Sequence, residues 1–178
     1  MDMLSIQANI GWGQISPQDL TDCSSNVSLS VNYMNYGCAG GTLNKSLSFA
    51  MNTGVNELAK YAINPDSVTN GLNQTCQRIR LGKRYKIKYI ELPDNNPNSR
   101  ASAIKNRRPV LAAIAAANKY FMFYQSGIIN SCNNDNRLVH AVIIIGFSYN
   151  AQYGNYWILK NSWGTSWGEQ GYARIQMG

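Results

Sequence analysis

The sequence predicts an α+β fold in two segregated lobes, and three observations carry that prediction. Capped, helix-period segments fill the first half of the chain. Alternating or short apolar runs bounded by Gly, Asn or Ser fill the second half. A polar stretch from Pro93 to Pro97 separates them. Helices and strands that are grouped rather than alternating argue against a doubly wound parallel sheet. The expected boundaries are a helical lobe over residues 1–92 and a β lobe over residues 93–178.

The elements follow in order. Met1 to Ile10 places Met3, Ile6, Gln7 and Ile10 along one side of a short helix with no N-cap before it. Gly11, Trp12 and Gly13 end it. Ser16 is an N-cap, Pro17 suits the first helical position and Asp19 stands three after the cap, so a short helix through Asp22 is expected. Thr42 opens a third helix, with Leu43, Leu47, Ala50 and Met51 on one face and Gly54 closing it. From Arg84 to Glu91 the period becomes two. A short helix near Ala101 to Asn106 leads into a buried strand from Pro109 to Ile114. Val139 to Phe147, Tyr156 to Lys160 and Tyr172 to Met177 complete the strands.

Composition excludes several classes. Of the 178 residues, 44% are hydrophobic and 14% charged, the reverse of a disordered chain. Apolar runs such as Val110 to Ala117 fall well short of the ~18 residues of a membrane span. The net charge of +7 is concentrated in Arg78, Arg80, Lys83, Arg84, Lys86 and Lys88. Tyr85, Ile87 and Tyr89 alternate with the last three cations, which is the pattern of a solvated strand face rather than a polyanion site. No nucleic-acid motif accompanies it, and neither nucleic acid nor membrane is expected as a partner.

Two segments could carry chemistry. His140, the one histidine, opens an apolar strand. Beyond it runs Lys160-Asn161-Ser162-Trp163-Gly164-Thr165-Ser166-Trp167-Gly168, then Gly171-Tyr172. Alone, each has a bland reading: a structural histidine and an aromatic-lined turn. Together, with Ile15 to Cys23, Gly37 to Gly41 and Tyr120 to Ile129, they resemble the papain-like, cathepsin-type cysteine protease family from end to end.

That resemblance implies one two-lobed papain-like domain, with a helical N-terminal lobe and an antiparallel, barrel-like C-terminal lobe. It also implies roles. His140 would pair with a cysteine thiolate and protonate the leaving amine. Asn161 would orient the imidazole. Trp163 would cover the Asn–His hydrogen bond and Trp167 would support Trp163 from beneath. Gly40 and Gly41 would offer backbone groups to an extended peptide. Thr42, Leu43, Ala113, Leu138 and Ala141 would line the specificity pocket. Ala39 and Val139 depart from the family pattern, which has Asn in the turn and often Asp or Asn before the histidine.

The resemblance further implies a Cys23–Cys76 disulfide. It pairs Cys38 with a cysteine ahead of the nucleophile and Cys132 with one beyond the C-terminus, both off the ends of this chain. The family's glycine-serine-cysteine-tryptophan motif and its upstream glutamine are not in the sequence either. The expectation is therefore a fragment truncated in both lobes, lacking the nucleophile and inactive alone. With one histidine and no C-x-x-C spacing, neither a metal nor a cofactor is expected.

Two function classes follow. The first is a cysteine-type peptidase that hydrolyses peptide bonds through a Cys-His-Asn triad. The second is a protease-like peptide-binding scaffold without catalysis. Expected partners are extended peptide or protein substrates and protein inhibitors, and the molecule is expected to be monomeric. The sequons Asn26-Val-Ser, Asn44-Lys-Ser and Asn73-Gln-Thr fit a lysosomal or extracellular parent protein.

Overall fold

The structure, a computed structural model, describes residues 14–25, 35–71, 74–77, 84–93, 96–131 and 137–177. The helix expected over Met1 to Ile10, the sequons at Asn26 and Asn73, the cations Arg78, Arg80 and Lys83, and Cys132 lie outside these residues. The chain divides into two compact units, Met1–Glu91 and Leu92–Gly178.

In the first unit, helix α1 (Pro17–Cys23) begins as its sequence dictates. Ser16 Oγ accepts the Asp19 backbone N–H at 3.1 Å and Pro17 fills the first turn. Gln18, Asp19 and Asp22 are buried on this helix, which requires partners for them. Asp19 Oδ2 accepts both the backbone N–H and the side-chain Nδ2 of Asn56, at 2.8 and 2.9 Å. Asp22 accepts from Gln18 Nε2 at 2.7 Å and from the Tyr61 hydroxyl at 2.9 Å. Burial pushes the Asp22 carboxyl above its ordinary value and the Tyr61 hydroxyl up to about 12. Cys23, Phe49, Ala50, Val55 and Tyr61 form the apolar core beside this network, and the Cys23–Cys76 disulfide ties residues 53 apart in sequence.

Helix α2 (Leu43–Asn52) lies where the pattern predicts it, with Thr42 as N-cap. Its buried face is rotated from the expected one. Phe49 and Ala50 are buried, whereas Met51 is 36% exposed. The larger aromatic ring takes the core position. The Thr42 hydroxyl makes no capping bond. Helix α3 (Pro65–Asn70) is an addition to the expected elements: Asn64 accepts the Asp66 N–H, Pro65 starts it and Gly71 ends it in the left-handed region. From residue 84 onward Tyr85, Ile87 and Tyr89 are half-buried while Arg84, Lys86 and Lys88 are exposed. The expected alternation is present, but only Tyr85 pairs in a ladder, as an isolated antiparallel bridge to Val55.

In the second unit, helix α4 (Pro97–Lys105) starts four residues before the expected Ala101, because Asn96 Oδ1 accepts the N–H groups of Asn98 and Ser99. Pro97, which reads as the end of a linker, is a helix starter. Helix α5 (Lys119–Met122) is a single turn capped by Asn118. Five strands follow the order β1-β3-β4-β5-β2: β1 (Val110–Ile114), β2 (Ile128–Ile129), β3 (His140–Asn150), β4 (Gly154–Lys160) and β5 (Tyr172–Gln176). The β2–β5 pair is parallel and the other pairs are antiparallel. The expectation that β1 is buried throughout needs correction. It is an edge strand, with Leu111 and Ala113 on an exposed face. Val142, Ile144, Trp157 and Leu159 point to the other face and pack with Ala116 and Phe121 over Ala101 and Ile104. Full burial of an aliphatic or phenylalanine side chain, as at Val142, Ile144, Leu159 and Phe121, contributes about 1.5–3 kcal/mol each.

Candidate active site

The antiparallel β3–β4 pair brings together two residues far apart in sequence. His140 opens β3 and Asn161 follows the last residue of β4, so the start of one strand lies beside the end of the next. His140 Nε2 and Asn161 Oδ1 are 2.8 Å apart. The Ser162 backbone N–H also donates to Asn161 Oδ1, at 2.8 Å. Two contacts on one amide atom, one of them a backbone N–H, fix that atom as the oxygen. The imidazole must then donate from Nε2, which leaves Nδ1 with the lone pair in the neutral ring. The Asn161 backbone N–H donates to Gly171 O at 2.9 Å, just ahead of β5. Asn161 is buried, and its Nδ2 has no hydrogen-bond partner among the described residues. Its orientation is therefore set through its oxygen.

Aromatic rings surround this pair. Trp163 lies 4.8 Å from the His140 ring, centroid to centroid, at an interplanar angle of 34°. Trp167 meets Trp163 edge to face at 5.4 Å. The Trp167 indole N–H is shared between the carbonyls of Phe121 and Met122, at 3.2 and 3.3 Å. Phe121, on α5, is 2% exposed and touches His140, Trp163 and Trp167 at 6.1, 5.4 and 5.0 Å. Trp163 is 40% exposed, so it has one packed side and one wet side.

A strap of polar contacts holds the loop from residue 163 to β5. Glu169 accepts the Gly127 N–H at 3.1 Å and is bidentate to Arg174. The Arg174 guanidinium lowers the Glu169 pKa from its ordinary value. Tyr124 packs on Trp167 and donates its hydroxyl to Gly127 O at 2.7 Å. Gly168 must be glycine here. A Cβ would sit 2.6 Å from Tyr172 O and 2.9 Å from the Tyr124 ring.

The remaining expected site residues fall on both units. In the first unit, Gly40, Gly41 and Thr42 are exposed and Leu43 is half-buried. Gly40 adopts φ +109°, closed to most L residues, although a Cβ would meet nothing. Gly41 is required for the opposite reason. Its Cβ would lie 2.3 Å from Asn35 Oδ1. Asn35 is buried, accepts the Thr42 N–H at 3.0 Å and donates from Nδ2 to Ser24 and Ser46 at 3.0 and 3.1 Å. Cys38 is exposed in the 3-10 turn Gly37–Ala39 of the same segment. In the second unit, Ala113 and Ala141 are register partners across β1 and β3, both on the exposed sheet face. Leu138 is 68% exposed two residues before His140.

Sequence reasoning singles out neither Phe121, Tyr124 and the Glu169–Arg174 pair nor Asn35. The aromatic run at 120–124 is visible in the sequence, but only the fold shows which ring turns inward. Among the described residues, no cluster of three or more His, Cys, Asp or Glu could hold a metal ion, and no helix is long and apolar enough to cross a membrane.

The family model described as papain family cysteine protease matches residues 2–178. Similar curated proteins include a cathepsin L-like protein of Caenorhabditis elegans at 31% identity over 166 residues and cathepsin K of Gallus gallus at 34% over 166 residues. Both alignments take in 90% of this chain and 45% of the relative, so the chain spans a little under half the length of the curated relatives it matches. Among solved structures, the bromelain protease from Ananas comosus in complex with the E64 inhibitor superposes at a TM-score of 0.77 with 31% identity, covering 98% of this chain and 74% of that one. Digestive procathepsin L 3 of Tenebrio molitor larval midgut superposes at 0.79 with 31% identity, covering 99% and 54%.

Proposed function

This chain belongs to the papain family of cysteine proteases, and we propose that the protein it comes from cleaves peptide bonds by thiol catalysis, with His140 as the acid–base group and Asn161 as its orienting partner. The observation that carries the reading is the 2.8 Å contact from His140 Nε2 to an Asn161 oxygen whose identity the Ser162 N–H fixes. A ring held from Nε2 presents Nδ1 as the base.

The steps follow from that tautomer. Nδ1 takes the proton of a cysteine thiol, giving a thiolate–imidazolium pair. The thiolate adds to the peptide carbonyl, and the imidazolium returns its proton to the amide nitrogen as the C–N bond breaks. The amine leaves and the acyl group remains on sulfur as a thioester. Nδ1 then takes a proton from water, which adds to the thioester. The carboxylic acid is released as the proton returns to sulfur. Asn161 keeps the ring in register through both transfers. Trp163 and Phe121 shield the Asn161–His140 bond, and Trp167 supports Trp163.

The thiol is proposed to come from outside these 178 residues. Cys23 and Cys76 are bonded to each other, and Cys38 and Cys132 occupy other positions in the family pattern. A polypeptide of residues 1–178 alone is accordingly inactive. Gly40, Gly41, Thr42, Leu43, Ala113, Leu138 and Ala141 are the proposed substrate-contacting positions. Substrates are extended peptides or proteins, protein inhibitors compete for the same positions, and the enzyme acts as a monomer on a lysosomal or extracellular route.

The test is hydrolysis of a fluorogenic peptide by the full-length gene product, with and without E-64. Activity that E-64 abolishes supports the reading. A full-length product that binds peptides but never cleaves them would establish the non-catalytic scaffold instead.

A further inference from the structure

We propose that Asn44 is an N-glycosylation site and that its glycan is attached before helix α2 forms. The inference rests on the oxidising secretory route proposed above, which the Cys23–Cys76 disulfide also favours.

Asn44-Lys45-Ser46 is a complete sequon, and Asn44 is exposed as the second residue of α2. A glycan on an exposed side chain displaces nothing from the core. The folded geometry nevertheless disables the sequon. Transfer joins the Asn amide nitrogen to the anomeric carbon of a lipid-diphosphate-linked oligosaccharide. The carbon–oxygen bond to the diphosphate breaks, the lipid diphosphate leaves, and an amide proton is lost to base. The hydroxyl two residues on must face that amide. Positions i and i+2 of a helix point away from each other. Here the Ser46 backbone N–H donates to Thr42 O at 3.1 Å, and Ser46 Oγ accepts from Asn35 Nδ2 at 3.1 Å. Ser46 thus serves two states in turn. Before folding its hydroxyl completes the acceptor, and after folding it anchors Asn35 beneath Gly41. Modification and folding of α2 compete for the same residue.

The experiment expresses the full-length chain in a secretory eukaryotic cell and treats it with peptide-N-glycosidase F in heavy-oxygen water. Peptide mass spectrometry then reads conversion at Asn44. A parallel cell-free translation receives detergent-opened microsomes, whose transferase is reachable without membrane translocation, either during synthesis or after folding and oxidation. Expected are occupied Asn44 in secreted and nascent chains, no occupancy when membranes are added to folded chains, total loss in Asn44→Gln, and retention in Ser46→Thr. Unmodified Asn44 in a secreted chain that carries the Cys23–Cys76 bridge would overturn the site while leaving the route intact. Equal modification of folded and nascent chains would overturn the timing. A chain whose Cys23–Cys76 bridge does not form in these cells would remove the route, and the inference with it.

Discussion

Replacing Gly41 by alanine should destabilise the first unit through one identifiable collision. Gly41 is not among the residues with positive φ, so its backbone accepts alanine. At such a position the change alone would stabilise by about 0.4–1 kcal/mol through the unfolded chain. The added Cβ, however, would stand 2.3 Å from Asn35 Oδ1 and 2.7 Å from Asn35 Cγ. Asn35 must move, and it holds three hydrogen bonds, to Thr42 N, Ser24 Oγ and Ser46 Oγ. At about 0.5–1.5 kcal/mol each, the loss is about 1.5–4.5 kcal/mol. Asn35→Ala removes the same three bonds and should have a similar effect. The double variant should be no worse than either single one, because its remaining approach is a 3.1 Å contact with the Asn35 Cβ. Urea unfolding of the full-length protein, compared at constant m, measures all three. Single penalties that add to within about 0.5 kcal/mol would show independent sites and refute the collision.

Other outcomes follow from the same contacts. Asn161→Ala removes the hydrogen bond that the imidazolium donates, worth about 1.5–3 kcal/mol, so kcat/KM should fall roughly 10- to 150-fold in steady-state assays. Converting both Cys23 and Cys76 to serine opens a 53-residue separation and should lower stability by about 4 kcal/mol in denaturant titrations. Asp22 has a raised pKa, chiefly from burial, so its contribution is fully present below its ordinary value near 3.8 and is lost as pH rises through the folded value. Asp22→Asn should therefore flatten the stability-versus-pH curve above about pH 4. Glu169 is shifted the other way by Arg174. Glu169→Gln should be destabilising above about pH 4.5 and converge with the parent protein as acid protonates the carboxyl, with a modest effect because the pair is about one-third exposed.

The sequence discloses elements where local chemistry decides and hides those where tertiary contacts do. Ser16, Pro17 and Asp19 announce α1 because capping is a matter of adjacent residues. The long strands show in their apolar runs. Helix α3 escapes notice although Asn64, Pro65 and Gly71 carry both of its signals, since six residues give no periodicity. Pro97 reads as linker because its neighbours are polar, whereas in the fold Asn96 caps the helix that Pro97 begins. Strand β2 has only two residues and exists through β5. For the candidate site, the cluster of His140, Asn161, Trp163 and Trp167 is legible through the motif that contains them. Phe121 and Asn35 are not. Phe121 lies buried among His140, Trp163 and Trp167, and Asn35 sits where a Gly41 Cβ would be; both depend on distances that no sequence pattern states.

The most direct test of thiol catalysis through His140 is turnover of a fluorogenic peptide by the full-length protein and its His140→Ala variant, with the E-64 adduct mapped by mass spectrometry. General acid–base assistance of about 10²- to 10⁴-fold should disappear in the variant. The adduct on the parent protein should fall on a cysteine other than Cys23, Cys38, Cys76 and Cys132. Unchanged turnover in His140→Ala, or an adduct on one of those four, would contradict the account.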